Sequence, residues 1–323
     1  LIKAVCAGCT SNVKLLLDAG ARWDPQQAAE INTFSDICAN NPINASNSDS
    51  DVLLKDEDNE DGICDGRSSK ENENEDPIEL LELLIAAKAD VNQGMAGYCT
   101  PLIAASERPE ALRVLLGAGA AVNARGDCGE TALTQAAFDK APKSVEILLD
   151  AKADVNAIGF DNATALKHAV ENRDIKTVRL LIAAGAQVEL SYSVYTSPLK
   201  DALMCDSPDM VHLLLEGKAD VQKITKYDTK PLQDAVRQNK VEAIKLLVDA
   251  GLDLSQSTAL AATLLHTAVV GTKIDMLRVL IDAKAPVDAV NPNVSIKTPL
   301  AAAITRDRVS LDIVKVLLGA GAR

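Results

Sequence analysis

Histidine is the first residue type to consider for catalysis in this chain, because it is the commonest general base. The sequence contains three, His168, His212 and His266, and each stands at a different position of the helical pattern described below. A nucleophile, a base and an orienting group must lie within hydrogen-bond reach of one another, and these positions assemble no such set. No glycine-rich phosphate loop followed by Lys and Ser or Thr occurs. The sequence therefore predicts no enzymatic activity, no cofactor and no small-molecule substrate.

Cysteine is the second candidate, either as a metal ligand or as a disulfide partner. The seven cysteines are odd in number and scattered, which argues against a disulfide framework and indicates a reducing compartment. Cys6 and Cys9 form a C-x-x-C pair, but no second Cys or His pair follows at zinc-ligand spacing. We therefore predict no metal site and a cytoplasmic location, with the nucleus as the alternative. No apolar stretch has membrane-spanning length, so direct membrane insertion is not expected.

Carboxylates are concentrated in residues 41–77, which hold twelve acidic and three basic residues and account for −9 of the net charge of −13. Glu57, Asn59, Asp61 and Gly62 resemble the start of a calcium loop, but Ser68 stands where the final bidentate Glu is needed. A segment with so few apolar residues and so much like charge cannot bury enough surface to fold. We predict a disordered acidic insertion. The rest of the chain has no basic stripe, so nucleic acid is not an expected partner.

The elements that must position any functional residue are seen most clearly in residues 131–156, which are predicted to form two short helices joined by a turn. Each helix has apolar residues at i, i+3 and i+4, so each has one apolar face. A threonine can cap the first helix, and a proline can open the second without losing a hydrogen bond. The residues are Thr131, Leu133, Ala136 and Ala137 in the first helix and Pro142, Val145, Leu148 and Leu149 in the second.

One helix pair is too short to be stable alone, so it must bury its apolar face against further copies of itself. The residue that follows the second helix is Gly or Lys, and five successive intervals between these residues are 33 residues long. Thr100-Pro101-Leu102 and Thr298-Pro299-Leu300 show the opening of the repeat, and Ala153-Asp154-Val155-Asn156 shows its close. A 33-residue period with a T-P-L-x-x-A opening and a G-A-D-V-N close resembles the ankyrin repeat. The nine closing positions are Gly20, Lys88, Gly119, Lys152, Gly185, Lys218, Gly251, Lys284 and Gly321.

This resemblance implies an all-α solenoid of about nine helix-turn-helix repeats with projecting turns. Residues 1–40 are interpreted as an N-terminal repeat and the first helix of a second repeat, which the insertion at 41–77 interrupts. The second helix of that repeat is predicted at 78–87, and the array is predicted over 78–323. Because the last repeat ends at Gly321 without a polar capping helix, we expect the array to be truncated at the C-terminus.

Two departures from the family pattern carry expectations about the structure. Lysine replaces the usual left-handed glycine at four of the nine closing positions, where an L-residue is slightly strained. The family's histidine after the opening leucine remains only as His266, so we expect its polar bond between neighbouring turns to be mostly absent. The residues in its place are Ile103, Thr134, Lys167, Lys200, Gln233 and Ala301.

The aromatic residues suggest where a partner binds. They make up 2% of the chain, and most of them fall in the turn before the repeat opening or late on a first helix. In ankyrin-like stacks these two places line the concave groove, and clustered exposed aromatics are common binding hot spots. The alternative is that the turn aromatics only pack on the adjacent turn. The predicted partner-binding residues are Tyr98, Phe138, Phe160, Tyr192, Tyr195 and Tyr227, with Glu107, Arg108, Glu171 and Arg237 as charged neighbours.

The sequence thus predicts a non-enzymatic scaffold or adaptor that binds another protein through the concave groove of its repeats. One alternative is that the array is the targeting or regulatory arm of a larger enzyme, such as a kinase or a ubiquitin ligase, whose catalytic domain is absent from this chain. A second alternative is an array attached to a membrane channel.

Overall fold

The computed structural model contains α-helices, a single 3₁₀-helix and no strand within the part of the chain that it describes. The chain divides into two compact units, residues 1–160 (unit 1) and 161–323 (unit 2). The described residues are 10–18, 77–92, 100–159, 162–190, 192, 197–205, 207–226, 228–291, 294, 297–305 and 310–323.

Unit 1 contains two second helices, α1 and α2, followed by helices that alternate between first and second helices of a repeat from α3 onward. The two helices of a repeat pack on each other, and each helix packs on the helix of the same kind in the next repeat. The second helices α1 and α2 pack directly together. The helices are α1 (Thr10–Asp18), α2 (Pro77–Ala86), α3 (Pro101–Ala104), α4 (Pro109–Gly117), α5 (Ala132–Phe138) and α6 (Pro142–Asp150).

Unit 2 repeats the same arrangement, with first helices packing on first helices and second helices on second helices. Its helices are α7 (Ala165–Glu171), α8 (Ile175–Ala183), α9 (Pro198–Met204), α10 (Pro208–Glu216), α11 (Lys230–Arg237), α12 (Val241–Asp249), α13 (Thr258–Val270), α14 (Ile274–Asp282), α15 (Pro299–Ile304) and α16 (Leu311–Gly319). The 3₁₀-helix spans Val221–Thr225, between α10 and α11.

The core consists mainly of Ala, Leu, Val and Ile side chains, together with Met210 and Met276. Leu133, Ala136 and Ala137 of α5 are buried, and so is Leu148 of α6. Thr131 caps α5, because its side chain accepts a hydrogen bond from the backbone N–H of the third helical residue. The predicted helix pair is confirmed, and the buried face of α6 includes Val145 and Leu148, whereas Leu149 is only half-buried and Ile147 is buried in addition.

The closing turns have the left-handed backbone that the sequence predicted. Lys88, Lys152, Lys218 and Lys284 all have φ between 60° and 66°. Gly119, Gly185, Gly251 and Gly321, at equivalent places, also have positive φ. An L-residue in this conformation is strained because its Cβ crowds the backbone.

We expect Lys218→Gly to raise the free energy of unfolding by about 0.5–1 kcal/mol, because glycine adopts positive φ without strain. The matched control is Lys245→Gly, which replaces an exposed lysine in the middle of α12. That change should lower the free energy by about 1 kcal/mol, because glycine disfavours a helix interior. Urea unfolding followed by circular dichroism measures both. A loss of stability in Lys218→Gly would contradict the strain argument.

A series of side chains fixes each repeat against the next. In unit 1 the carboxamide oxygen of Asn123 accepts a hydrogen bond of 2.8 Å from the backbone N–H of Asp154. In unit 2 a carboxylate oxygen of Glu189 accepts one of 3.1 Å from the N–H of Asp220. The acceptor and donor are 31 residues apart in both cases, and the second bond lies two 33-residue periods after the first, so the two bonds occupy equivalent places in the array.

Lysines at the start of second helices reach back to the preceding repeat in unit 2. The Lys240 Nζ donates to the backbone carbonyl oxygens of Leu203 at 3.0 Å and Cys205 at 2.9 Å, at the C-terminal end of α9. Lys273, which is 33 positions further on, donates in the same way to the carbonyl oxygen of Val236 at the end of α11. A positive charge is favourable there, because the last carbonyl groups of a helix lack intrahelical partners and carry partial negative charge.

One of the residues that replace the family's histidine bonds to the neighbouring turn. Lys200, which takes the place of the family's histidine, is buried and donates to the backbone carbonyl oxygen of Lys226 at 2.8 Å. In unit 1 the Arg125 guanidinium joins two turns by donating to the carbonyl oxygens of Gly129 at 2.8 Å and Ile158 at 2.7 Å. Lys200 and Arg125 therefore each contribute a polar bond to a neighbouring turn.

Candidate protein-binding surface

The last residues of four successive first helices in unit 2 form a row of exposed side chains. Glu171, Met204, Arg237 and Val270 end α7, α9, α11 and α13, and each is 33 positions from the next. Because each of these helices packs on the next, their C-terminal ends lie side by side. We call these four residues the unit 2 row.

The two apolar members of the unit 2 row are well exposed. Met204 is 52% exposed and Val270 is 39% exposed, whereas most apolar residues of the first helices are buried. A single exposed apolar side chain is ordinary in a soluble protein. Two at the same repeat position, separated by one charged residue, form a surface where apolar anchors alternate with charges.

The charged members of the row have neighbours that set their electrostatics. Arg237 Nη2 lies 2.7 Å from Asp234 Oδ1, an i,i+3 pair that orients the guanidinium, while the arginine side chain remains 68% exposed. Glu171 Oε1 lies 3.9 Å from Lys167 Nζ, a longer and partly exposed pair. Exposed pairs of this kind are weak, so both charged groups can still interact with a partner.

Tyr192 lies next to the row and is less exposed than the sequence suggested. Its hydroxyl oxygen is shielded from solvent, and the Asp201 carboxylate lies near it. Burial, together with the nearby carboxylates of Asp201, Glu171 and Glu189, raises the pKa of Tyr192 well above its usual value. Burial also raises the pKa of Asp201. The carboxylates thus give this part of the face an acidic character.

The other predicted binding residues lie at several places. Phe138 ends α5 in unit 1 and is 57% exposed, and Glu107 is exposed in the loop between α3 and α4. Arg108, beside it, is partly buried. Glu171 and Arg237 belong to the unit 2 row. Tyr98, Phe160, Tyr195 and Tyr227 lie outside the described residues, so their predicted role remains a prediction.

Sequence reasoning missed Met204 and Val270 as surface residues. Both stand at the repeat position of Phe138, Glu171 and Arg237, 33 positions apart, so the period itself could have identified them. The prediction instead selected aromatic residues and their charged neighbours. Comparing one repeat position across all repeats would have found the complete row.

Unit 2 also contains a pocket of 340 Å³ between the loops that precede α10 and α12, lined by residues that include Cys205 and Lys240. Burial raises the pKa of the Cys205 thiol, which keeps it in the unreactive protonated form. The Lys240 ammonium is already bound to two backbone carbonyl oxygens. The pocket therefore has no activated nucleophile or base among the residues that line it.

The described residues contain no group of three or more His, Cys, Asp or Glu side chains that could hold a metal ion. Over the same ranges, every helix is too short or too polar to cross a bilayer.

The family model for ankyrin repeats, in sets of three copies, matches residues 70–159, 109–192, 166–258 and 232–323. Among solved structures, the crystal structure of the human ASB11 ankyrin repeat domain is similar, with 22% sequence identity and a TM-score of 0.49. That match covers 70% of this chain and 99% of the other. No curated protein matches the sequence. Because the family matches together span residues 70–323, with the repeat period and the paired helices in agreement, this chain belongs to the ankyrin repeat family.

Proposed function

We propose that this protein is a non-catalytic scaffold that binds a partner protein through the face carrying the unit 2 row, which corresponds to the concave groove of ankyrin repeats. Ankyrin repeats are generally protein–protein interaction modules, and their fold is typically a binding scaffold without catalytic residues. The observation that carries the proposal is the row itself, in which exposed apolar and charged side chains alternate at one repeat position. Phe138 occupies the same position in unit 1, and Glu107 lies in the loop that follows α3.

The physical basis of the proposal is the composition and rigidity of this surface. Binding energy in protein interfaces is concentrated in a few apolar or arginine anchors that partner atoms shield from water. Met204, Arg237 and Val270 are side chains of these kinds. They end helices that already pack on their neighbours, so little conformational entropy is lost when a partner binds.

The test compares Met204→Glu with Leu318→Glu, a change at a residue of nearly equal exposure on the second helix α16. In this experiment the purified wild-type chain is used as bait to capture proteins from cell lysate. One captured protein is then purified for affinity measurements. We expect Met204→Glu to weaken its binding about tenfold or more, because it places a charge in an apolar contact. Leu318→Glu should leave the affinity within about twofold.

Equal binding of the wild-type chain and Met204→Glu to every captured protein would reject this surface as the binding site. Circular dichroism of both variants serves as the folding control. The same surface would serve if the array is the targeting arm of a larger kinase or ubiquitin ligase, and the full-length reading frame would reveal that catalytic domain.

A further inference from the structure

The spacing of the unit 2 row restricts the conformation of a segment that contacts all four residues. Packed helices lie roughly 8–10 Å apart, so each step along the row has about this length. A polyproline II segment rises about 3.1 Å per residue and has three residues per turn, so every third side chain faces the same way about 9 Å apart. Its period therefore matches the row.

Other regular conformations fit less well. In a β-strand, side chains on one face recur every two residues, at about 6.5 Å, or every four, at about 13 Å. In an α-helix, equivalent side chains seven residues apart are about 10.5 Å apart, and the mismatch with the row accumulates over three steps. Of these regular conformations, polyproline II is the one whose side-chain spacing matches all four residues of the row.

The charges of the row specify the side chains of that segment. At the first place, Glu171 favours a basic residue, because its carboxylate is exposed and its pair with Lys167 Nζ, at 3.9 Å, is long and weak. At the third place, Arg237 uses one guanidinium nitrogen for Asp234, and its remaining donors can bind a carboxylate. Met204 and Val270 provide apolar contacts at the second and fourth places.

We propose that the partner presents an extended, polyproline II-like segment with basic, apolar, acidic and apolar residues at every third position, in register with Glu171, Met204, Arg237 and Val270. This inference rests on the proposed function and adds the chemistry of the partner. The segment runs along the row in one of two chain directions, and the peptides below include both.

The experiment uses fluorescein-labelled synthetic peptides and the full chain, with binding followed by fluorescence anisotropy. The matched peptide is Lys-Pro-Ala-Leu-Pro-Ala-Glu-Pro-Ala-Leu, and a second peptide has this sequence in reverse. The charge-exchanged peptides have Lys and Glu swapped. We expect the wild-type chain to bind one of the matched peptides about tenfold more tightly than its exchanged counterpart, because two attractive charge pairs become repulsive.

A variant of this protein with two reversed charges provides the decisive comparison. The double variant Glu171→Lys/Arg237→Glu should reverse the preference, so that the exchanged peptide binds about tenfold more tightly than the matched one. The control variant Glu242→Lys/Lys245→Glu reverses the same charges on the second helix α12 and should keep the wild-type preference. Circular dichroism is used to check the fold of each protein. The single variant Glu171→Lys should increase the affinity for a peptide with Glu at both charged places.

Equal binding of matched and exchanged peptides would overturn the inference, as would tighter binding of a helix-forming peptide with the same four residues seven positions apart. If no peptide binds while Met204→Glu still abolishes capture of a natural partner, the inference fails and the proposed function stands. If Met204→Glu has no effect on capture either, both fail.

Discussion

Replacing Met210 with alanine is expected to lower the free energy of unfolding by about 2–5 kcal/mol, because the side chain is removed from a closely packed interior. Met210 lies on α10 with 0% of its surface exposed. In a repeat array the loss acts on its own repeat and on the interfaces with both neighbours. Urea unfolding measures the change, and hydrogen exchange of the α10 amides shows whether protection is lost in unit 2.

The matched control is Met204→Ala, which makes the same replacement six residues earlier at a residue that is 52% exposed. This change should alter the free energy of unfolding by less than about 0.5 kcal/mol, since the surroundings of Met204 are mainly solvent. Equal losses in the two variants would mean that Met204 is part of the core, and the unit 2 row would then lose its central apolar residue.

Replacing Lys240 with methionine should lower the free energy of unfolding by about 1.5–3 kcal/mol, the range for hydrogen bonds that involve a charged group. The ammonium group binds two carbonyl oxygens at the end of α9, and methionine keeps most of the aliphatic chain while removing the donors. The carbonyl groups of Leu203 and Cys205 would then lose this partner. Thermal and urea unfolding of the full chain measure the effect.

Lys245→Met is the control for Lys240→Met, because Lys245 is an exposed lysine on the same helix, α12. Its replacement should change stability by less than about 0.5 kcal/mol. If both variants lose the same stability, the effect arises from general surface charge and the bridge to α9 contributes nothing of its own.

Much of the fold could be predicted from the sequence because the information is local and repeated. Thr131 and Leu133 define the start and the buried face of a first helix within three residues, and the 33-residue period reproduces that pattern along the chain. The left-handed turns at Lys152 and Lys218 were also predictable, because each occupies a place that otherwise holds glycine. The family assignment followed from the same period.

The bonds between repeats could not be predicted in this way. Lys200 and Lys240 both reach backbone carbonyl groups of a neighbouring repeat, and such bonds depend on side-chain length and direction in space. The burial of the Tyr192 hydroxyl likewise depends on residues of α9, which the local sequence around Tyr192 does not identify. A residue type alone does not show whether a polar tip points outward or toward the adjacent helix.

The candidate site was predicted only in part, for a different reason. Glu171 and Arg237 were identified as neighbours of aromatic residues, and the structure places both in one row with Met204 and Val270. The structure does not describe four residues with predicted binding roles, namely Tyr98, Phe160, Tyr195 and Tyr227. Almost all of the predicted acidic insertion at 41–77 also lies outside the described residues; its last residue, Pro77, begins α2.

The position of the row at the ends of stacked helices has an evolutionary consequence. Under the proposed binding mode, each helix pair contributes one side chain to the contact surface, and its core-facing residues are separate from that side chain. Duplication or deletion of a 33-residue repeat would add or remove one such contact. A single codon change at the helix end would replace one of these side chains. Binding specificity can therefore diversify among descendants of this gene while the architecture that supports it is retained.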